Sequence, residues 1–210
     1  MDILGLGTPF GLAFASGLNA YLPLLAFAVS ARWLDLYKVN STFSFTTRTW
    51  FIVVLAILTI LDFVAEKIPL IDHAWNAVHT FVRPLAGALV AAAAVSHYIS
   101  GIHAFSAGIS SAALVAGIAA NIIPVTGIVL LIIAIIGAGL ALLSHTSKSI
   151  MHVASTITTA GLFTAALSFL EDILALVAIL LSLFAPAIML LMLVLFLLIV
   201  GPRLIHAWNR

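Results

Sequence analysis

Residues 84–147 read PLAGALVAAAAVSHYISGIHAFSAGISSAALVAGIAANIIPVTGIVLLIIAIIGAGLALLSHTS, 64 positions without an Asp, Glu, Lys or Arg. A second charge-free run covers Ile173 to Pro202. About 18 to 20 apolar residues suffice for one helical crossing of a bilayer, so these runs hold several. Lipid cannot hydrate a backbone amide, and an α-helix satisfies its amides within the segment, so each run is read as a helix. The fold class expected is all-α, a polytopic transmembrane helical bundle with 1–210 as a single transmembrane domain. The composition agrees: 64% of the 210 residues are hydrophobic and 7% charged, where a soluble domain carries roughly 25% charged residues. Intrinsic disorder, nucleic-acid binding and a secreted disulfide scaffold are excluded. The absence of Cys removes disulfide and zinc–thiolate chemistry. A net charge of +1 points to no acidic or basic partner.

About seven spans are expected. The N-terminal segment has Asp2 where a signal peptide would carry Lys or Arg, so it is read as a retained first span. That segment, Leu4 to Leu34, is about 45 Å long as a helix, too long for one straight crossing and too short for two. Gly17, Asn19 and Pro23 at its centre predict a broken helix or a re-entrant turn. Further spans are expected over 50–66, 71–95, 102–123, 128–152, 161–184 and 187–205. The fourth is rich in small residues, and Pro124 and Gly127 mark the turn after it. A second helix break is expected near Thr146, where Ser144-His145-Thr146-Ser147-Lys148 interrupts the apolar run. With seven crossings, the basic residues Arg32, Lys38, Arg48, Lys148, Arg203 and Arg210 share one face. The positive-inside rule then places the 31–49 loop and the C-terminus in the cytoplasm.

Gly11-Leu12-Ala13-Phe14-Ala15-Ser16 matches Gly139-Leu140-Ala141-Leu142-Leu143-Ser144 at four of six positions. The match suggests a three-one-three plan, with repeats over 1–97 and 125–210 joined by a linker span over 102–123.

Charges inside spans are expensive and usually face a cavity or a partner. Asp62 and Glu66 are four apart, on one face of the second span. Asp72, Asn76, His79 and Arg83 fall within about 60° of one another on the third, a narrow polar stripe. His145, Lys148 and His152 form a similar stripe on the fifth, and Glu171 and Asp172 are adjacent in the sixth. Lys67, Asp72 and His73, near a helix end, are read as interfacial anchors. The substrate- or ion-binding set expected is Asn19, Glu66, His79, Arg83, His145, Lys148 and Asp172, supported by Asp62, Asp72, Asn76 and Glu171. Buried carboxylates and histidines can carry protons. Arg83, Lys148 and the helix ends freed at Asn19 can hold an anion. Asp62, Glu66, Asp72 and His79 offer oxygen and nitrogen ligands to a divalent cation, although no familiar ligand spacing is present and the metal stays unassigned. Ser144 to Lys148 holds a Ser, a His and a Lys, but no nucleophile elbow or HExxH accompanies them, so no enzyme and no cofactor are expected.

SGLNAYLPLL (Ser16–Leu25), AEKIPLIDHAWNAVHTFVRPLAGAL (Ala65–Leu89), SHTSK (Ser144–Lys148) and LEDILAL (Leu170–Leu176) resemble an uncharacterised family of bacterial integral-membrane proteins, catalogued as a domain of unknown function. The resemblance implies a shared polar set of Asn19, Glu66, Lys67, Asp72, His79, Arg83, Pro84, His145, Lys148, Glu171 and Asp172, and a bacterial cytoplasmic membrane location. It implies no activity. The chain departs from those relatives at His152 to Thr158, where they carry a basic residue and an Asn-Ser-Pro-Glu-Pro-like loop. The block His79 to Gly87 also resembles the arginine-proline re-entrant motif of DedA-type lipid-carrier translocases.

The function expected is a multi-pass transporter or permease of a small anionic solute, proton-coupled, with membrane lipids and a solute or ion as partners and room for a homo-oligomer. Alternatives are a lipid-phosphate or polyprenyl-carrier translocase, a divalent-cation transporter and a non-transporting assembly factor.

Overall fold

The computed structural model describes the backbone of residues 3–65, 69–107, 112–159 and 164–208, and the side chains of 4–65, 75, 77–98, 127–151 and 166–203. Seven α-helices follow one another among them: α1 (Gly7–Leu18), α2 (Leu22–Trp33), α3 (Thr49–Ala65), α4 (Pro69–Ala107), α5 (Ala112–Thr159), α6 (Thr164–Phe184) and α7 (Pro186–Trp208). Short 3-10 turns precede α1 (Ile3–Leu6) and α3 (Ser41–Thr47).

The break expected at Asn19 is present. Asn19 is extended (φ −137°, ψ 123°) and ends α1. Its Oδ1 accepts the backbone N–H groups of Tyr21 (3.2 Å) and Leu22 (3.0 Å), so one side chain stops the first helix and caps the second. Pro23 in the first turn of α2 costs nothing there, because its missing N–H would have had no helical partner. Asp35, at φ 51°, ends α2 in the left-handed region, which Asp tolerates better than most residues.

The contacts show that α1 and α2 form a hairpin that enters and leaves at the same end of the bundle. At the outer end, Thr8 Oγ1 donates to Ser182 O (2.7 Å), and Tyr98 Oη donates to Gly5 O (2.9 Å). The chain leaving α2 returns to the same residues: Tyr37 Oη donates to Leu183 O (2.9 Å) and Lys38 N–H to His97 Nδ1 (2.9 Å). Burial raises the pKa of the Tyr37 phenol, which keeps it a donor. At the inner end, Gly17 and Leu18 meet Arg83 and Lys148. Arg83 and Tyr98 are about 22 Å apart along α4, so the tip reaches deep into the bundle. Each arm has 12 residues, about 18 Å, short of a hydrocarbon core of about 30 Å. Neither arm is long enough to cross such a core alone.

The hairpin is the centre of the core. Nine of the 12 residues of α1 are buried, and the helix packs against α4, α5, α6 and α7. Small residues make that possible. A Cβ on Gly17 would fall 1.8 Å from Ser144 Oγ and 2.1 Å from Ala141 O, and one on Gly7 1.7 Å from Pro186 O. The α4–α5 pair is equally close, with a Gly137 Cβ reaching 2.6 Å from both Ala91 Cβ and Gly87 O.

Several expectations are corrected. Among the described residues, four helical stretches are long and apolar enough to cross a membrane: Ala77–Tyr98, Gly127–Met151, Ala166–Phe184 and Pro186–Arg203. A fifth is added if the Ser41–Thr47 turn and α3, bent by 56°, are taken together. The span expected over 102–123 lies partly outside the described residues, which take in the C-terminal part of α4 up to Ala107 and α5 from Ala112. The turn expected at Pro124 and Gly127 is helical, inside α5. Thr146 is no break either. Thr146 Oγ1, Ser147 Oγ and Ser149 Oγ donate to the carbonyls of Leu142, Leu143 and His145, one turn back, so these polar residues are satisfied without interrupting α5. Pro84 likewise lies inside a continuous α4, so Arg83-Pro84 makes no re-entrant turn. The matched segments 11–16 and 139–144 lie in unlike elements, a half-helix and the interior of a long one.

The five helices α3 to α7 pass back and forth, with α7 starting at Gly7 and running alongside α1 through a Phe14–Phe196 ring contact (4.9 Å between centroids). Arg203 is then about 25 Å along α7 from Pro186, at the end opposite Tyr37 and Lys38.

The close approach at Gly17 makes a direct test. Gly17→Ala should cost about 1–3 kcal/mol or more in unfolding assays in detergent, because the added Cβ meets both Ser144 Oγ and the helix backbone at Ala141. Gly139→Ala, with open space around it, should be neutral or slightly stabilising. Equal effects would contradict the packing.

Candidate functional site

The polar residues of four helices converge on the hairpin tip. An α-helix ends in carbonyls with no partner in the helix, and together they carry roughly half a negative charge. At the end of α1, Arg83 Nη1 donates to Gly17 O (3.2 Å) and Lys148 Nζ to Leu18 O (3.3 Å). Ser144 Oγ donates to Phe14 O (2.6 Å). Both cations are buried, Arg83 completely. Each lies where the helix dipole favours positive charge.

Arg83 Nη1 also lies 2.8 Å from His145 Nδ1. A guanidinium only donates, so Nδ1 is the bare, accepting nitrogen and the imidazole is neutral with its proton on Nε2. That nitrogen is 3.4 Å from Thr80 Oγ1. Lys148 Nζ is 3.3 Å from Glu171 Oε2, a buried ion pair that joins α5 to α6. A second chain of contacts runs from α3 to the tip. Trp75 Nε1 donates to Asp62 Oδ1 (2.8 Å), His79 Nδ1 lies 3.5 Å from the same oxygen, and His79 Nε2 lies 3.4 Å from Tyr21 Oη. Asp62 and His79 are buried.

Of the residues expected from the sequence, Asn19, His79, Arg83, His145 and Lys148 meet here, with Asp62 and Glu171 beside them. Asp172 is part-buried and lines, together with Asn19, a groove beside the tip. Glu66 lies outside the described residues. Asp72 and Asn76 lie in α4, and their side chains are outside the described set. Among the described residues, no three His, Asp or Glu side chains converge as metal ligands. The four-residue divalent-cation set includes two of the positions not described. Ser144 is committed to bonds with Phe14 O and Ala141 O (3.3 Å), which tie α1 to α5.

Tyr21, Trp75 and Thr80 were missed. Trp75 stands four residues before His79, on the stripe already read from the sequence, and Tyr21 two residues after Asn19. Their rings are amphipathic, and composition counted them as apolar.

Two grooves border the cluster. One, about 350 Å³, lies between α1, α5, α6 and α7, and Ser147, Lys148 and Glu171 stand at its edge. The other, about 420 Å³, lies between α3 and α6 and is lined by Asn19, Thr59 and Asp172 among apolar residues.

The fold and the buried cluster define a multi-pass α-helical membrane protein built around a central helical hairpin. The chain belongs to the family described as a domain of unknown function, DUF4126, whose sequence model matches residues 6–128 and 98–204. No curated protein and no solved structure matches the chain.

The tip contacts should be measurable as stability. Asn19→Ala should cost about 1 kcal/mol through the lost cap, and Arg83→Gln about 3 kcal/mol through lost charge-assisted bonds. Unfolding in mild detergent checks both, and unchanged midpoints would contradict the assignment.

Proposed function

We propose that the protein is a multi-pass membrane permease for an anionic substrate, with the hairpin tip as the substrate site and the neighbouring histidines and carboxylates as proton carriers. One observation carries the reading. Two cations from two different helices, Arg83 and Lys148, converge on the carbonyl end of a buried half-helix. A charge at membrane depth costs on the order of 3 kcal/mol on insertion scales. Locking a bundle requires no cation at all, since apolar packing would serve as well.

The chemistry follows from what each group can exchange. Gly17 O is a neutral partner of Arg83, Lys148 is shared between Leu18 O and Glu171, and an anion is a better partner than a carbonyl. An arriving anion competes for Arg83 and Lys148 and loosens the tip from α4 and α5. His145 is neutral while Arg83 donates to it, so protonation of its Nδ1 breaks that contact and weakens the hold on the guanidinium. Asp62, His79 and Tyr21 form a second set of groups able to pass a proton toward the tip. Substrate release and proton transfer are thereby linked through one residue, Arg83.

The reading is tested in proteoliposomes with inorganic phosphate, acetate and a fluorescent anionic phospholipid as probes. Wild-type protein should move at least one of them in a pH-dependent manner. Arg83→Gln and Lys148→Gln should lower that rate by about tenfold or more, a loss of roughly 1.4 kcal/mol in transition-state stabilisation. Folded wild-type protein that moves none of the three, or variants with unchanged rate and pH profile, would overturn it. The second outcome would favour an assembly role.

A further inference from the structure

We infer that His97 is a pH-sensitive latch at the outer end of the hairpin: neutral, it holds the segment leaving α2 against α4, and on protonation it releases that segment. The latch does not rest on the permease reading.

The two arms of the hairpin are held unequally. Nine of the 12 residues of α1 are buried, but only five of the 12 of α2. The second arm therefore depends more on what fixes its ends. Asn19 fixes the inner one. At the outer end the chain runs into residues 35–40, which adopt no helix and meet α4. Lys38 N–H donates to His97 Nδ1 (2.9 Å) and Asn40 N–H to Ser96 Oγ (3.2 Å). Alternate residues of an extended segment direct their amides to the same side, so two neighbouring side chains of α4 take both. Further anchors are the bonds of Tyr37 Oη to Leu183 O (2.9 Å), Leu36 N–H to Ser30 O (3.2 Å) and Arg32 Nη1 to Thr47 O (2.6 Å).

These anchors differ in what pH does to them. A carbonyl, a hydroxyl and a guanidinium keep their hydrogen-bonding roles near neutral pH. An imidazole does not. His97 Nδ1 accepts, so it is bare, and the neutral ring carries its proton on Nε2. A second proton turns that acceptor into a donor and sets it against the Lys38 N–H. The edge-to-face contacts of the ring with Tyr37 (5.7 Å) and Tyr98 (5.0 Å) survive protonation, since aromatic rings tolerate a cation. The loss therefore falls on the Lys38 amide.

The surroundings offer the charged ring no compensation. Among the described residues, the titratable groups facing it are the Tyr37 and Tyr98 phenols and the Lys38 ammonium. None of the three is an anion near neutral pH. His97 is half-buried and Lys38 exposed, so water reaches the latch. Histidine changes charge between about pH 5 and 8, which sets the sign. The latch is closed at the alkaline end and opens as pH falls through that range.

Hydrogen exchange of the purified full chain in lipid nanodiscs, read by mass spectrometry on peptides covering residues 35–40, tests the latch at about pH 8 and about pH 5. Protection relative to the intrinsic exchange rate at each pH should fall about five- to tenfold in the wild type, as one hydrogen bond is lost. His97→Asn places an amide oxygen near the position of Nδ1 and should give equal protection at both pH values. His97→Leu offers no acceptor, and its protection at both should match that of the wild type at the acid end. Wild-type protection that does not change with pH, or a fall of the same size in His97→Asn, would overturn the inference. Folded His97→Leu protein with wild-type protection at the alkaline end would overturn it too.

Discussion

A helix that stops inside a membrane protein leaves carbonyls that no water can reach, and the rest of this structure is arranged around that constraint. Of the last four carbonyls of α1, Ala15 O accepts the Asn19 N–H (3.0 Å), Gly17 O accepts Arg83 and Leu18 O accepts Lys148. The opening N–H groups of α2 fall to the Asn19 side chain. One asparagine and two cations therefore permit a hairpin where a continuous span would otherwise be required.

The cations in turn set the composition of their surroundings. Arg83 and Lys148 are tolerable at depth because a helix dipole, a neutral histidine and a carboxylate surround them. Glu171 neutralises Lys148 across the α5–α6 contact, and His145 takes the second Arg83 bond without adding charge. The small residues have the same origin. Gly7, Gly17, Gly87 and Gly137 let backbones approach so that short hydroxyls such as Thr8 and Ser144 can reach carbonyls on neighbouring helices. What looks like a low-complexity apolar chain is a set of close approaches spaced around one buried helix end.

Much of this was legible in the sequence, and the remainder was illegible for physical reasons. Asn19 with Gly17 and Pro23 announced a break, because those residues act locally on the backbone. The Asp62, His79, Arg83, His145 and Lys148 cluster followed from helical spacing and the rarity of charge. Thr146 misled because a hydroxyl can cap a break or bond back to its own helix, and both look alike in sequence. Tyr21 and Trp75 stayed hidden because their role depends on the tertiary approach of α3 and the tip to α4.

The central claim is that α1 and α2 form a hairpin with both ends on one side of the membrane. The chain has no Cys, so single cysteines can be introduced at Leu4, Lys38 and Arg203 and labelled with an impermeant maleimide in sealed vesicles of known orientation. Leu4→Cys and Lys38→Cys should react from the same side, and Arg203→Cys from the other. Reaction of Leu4→Cys and Lys38→Cys from opposite sides would mean that the first segment crosses the membrane, and the account would fall.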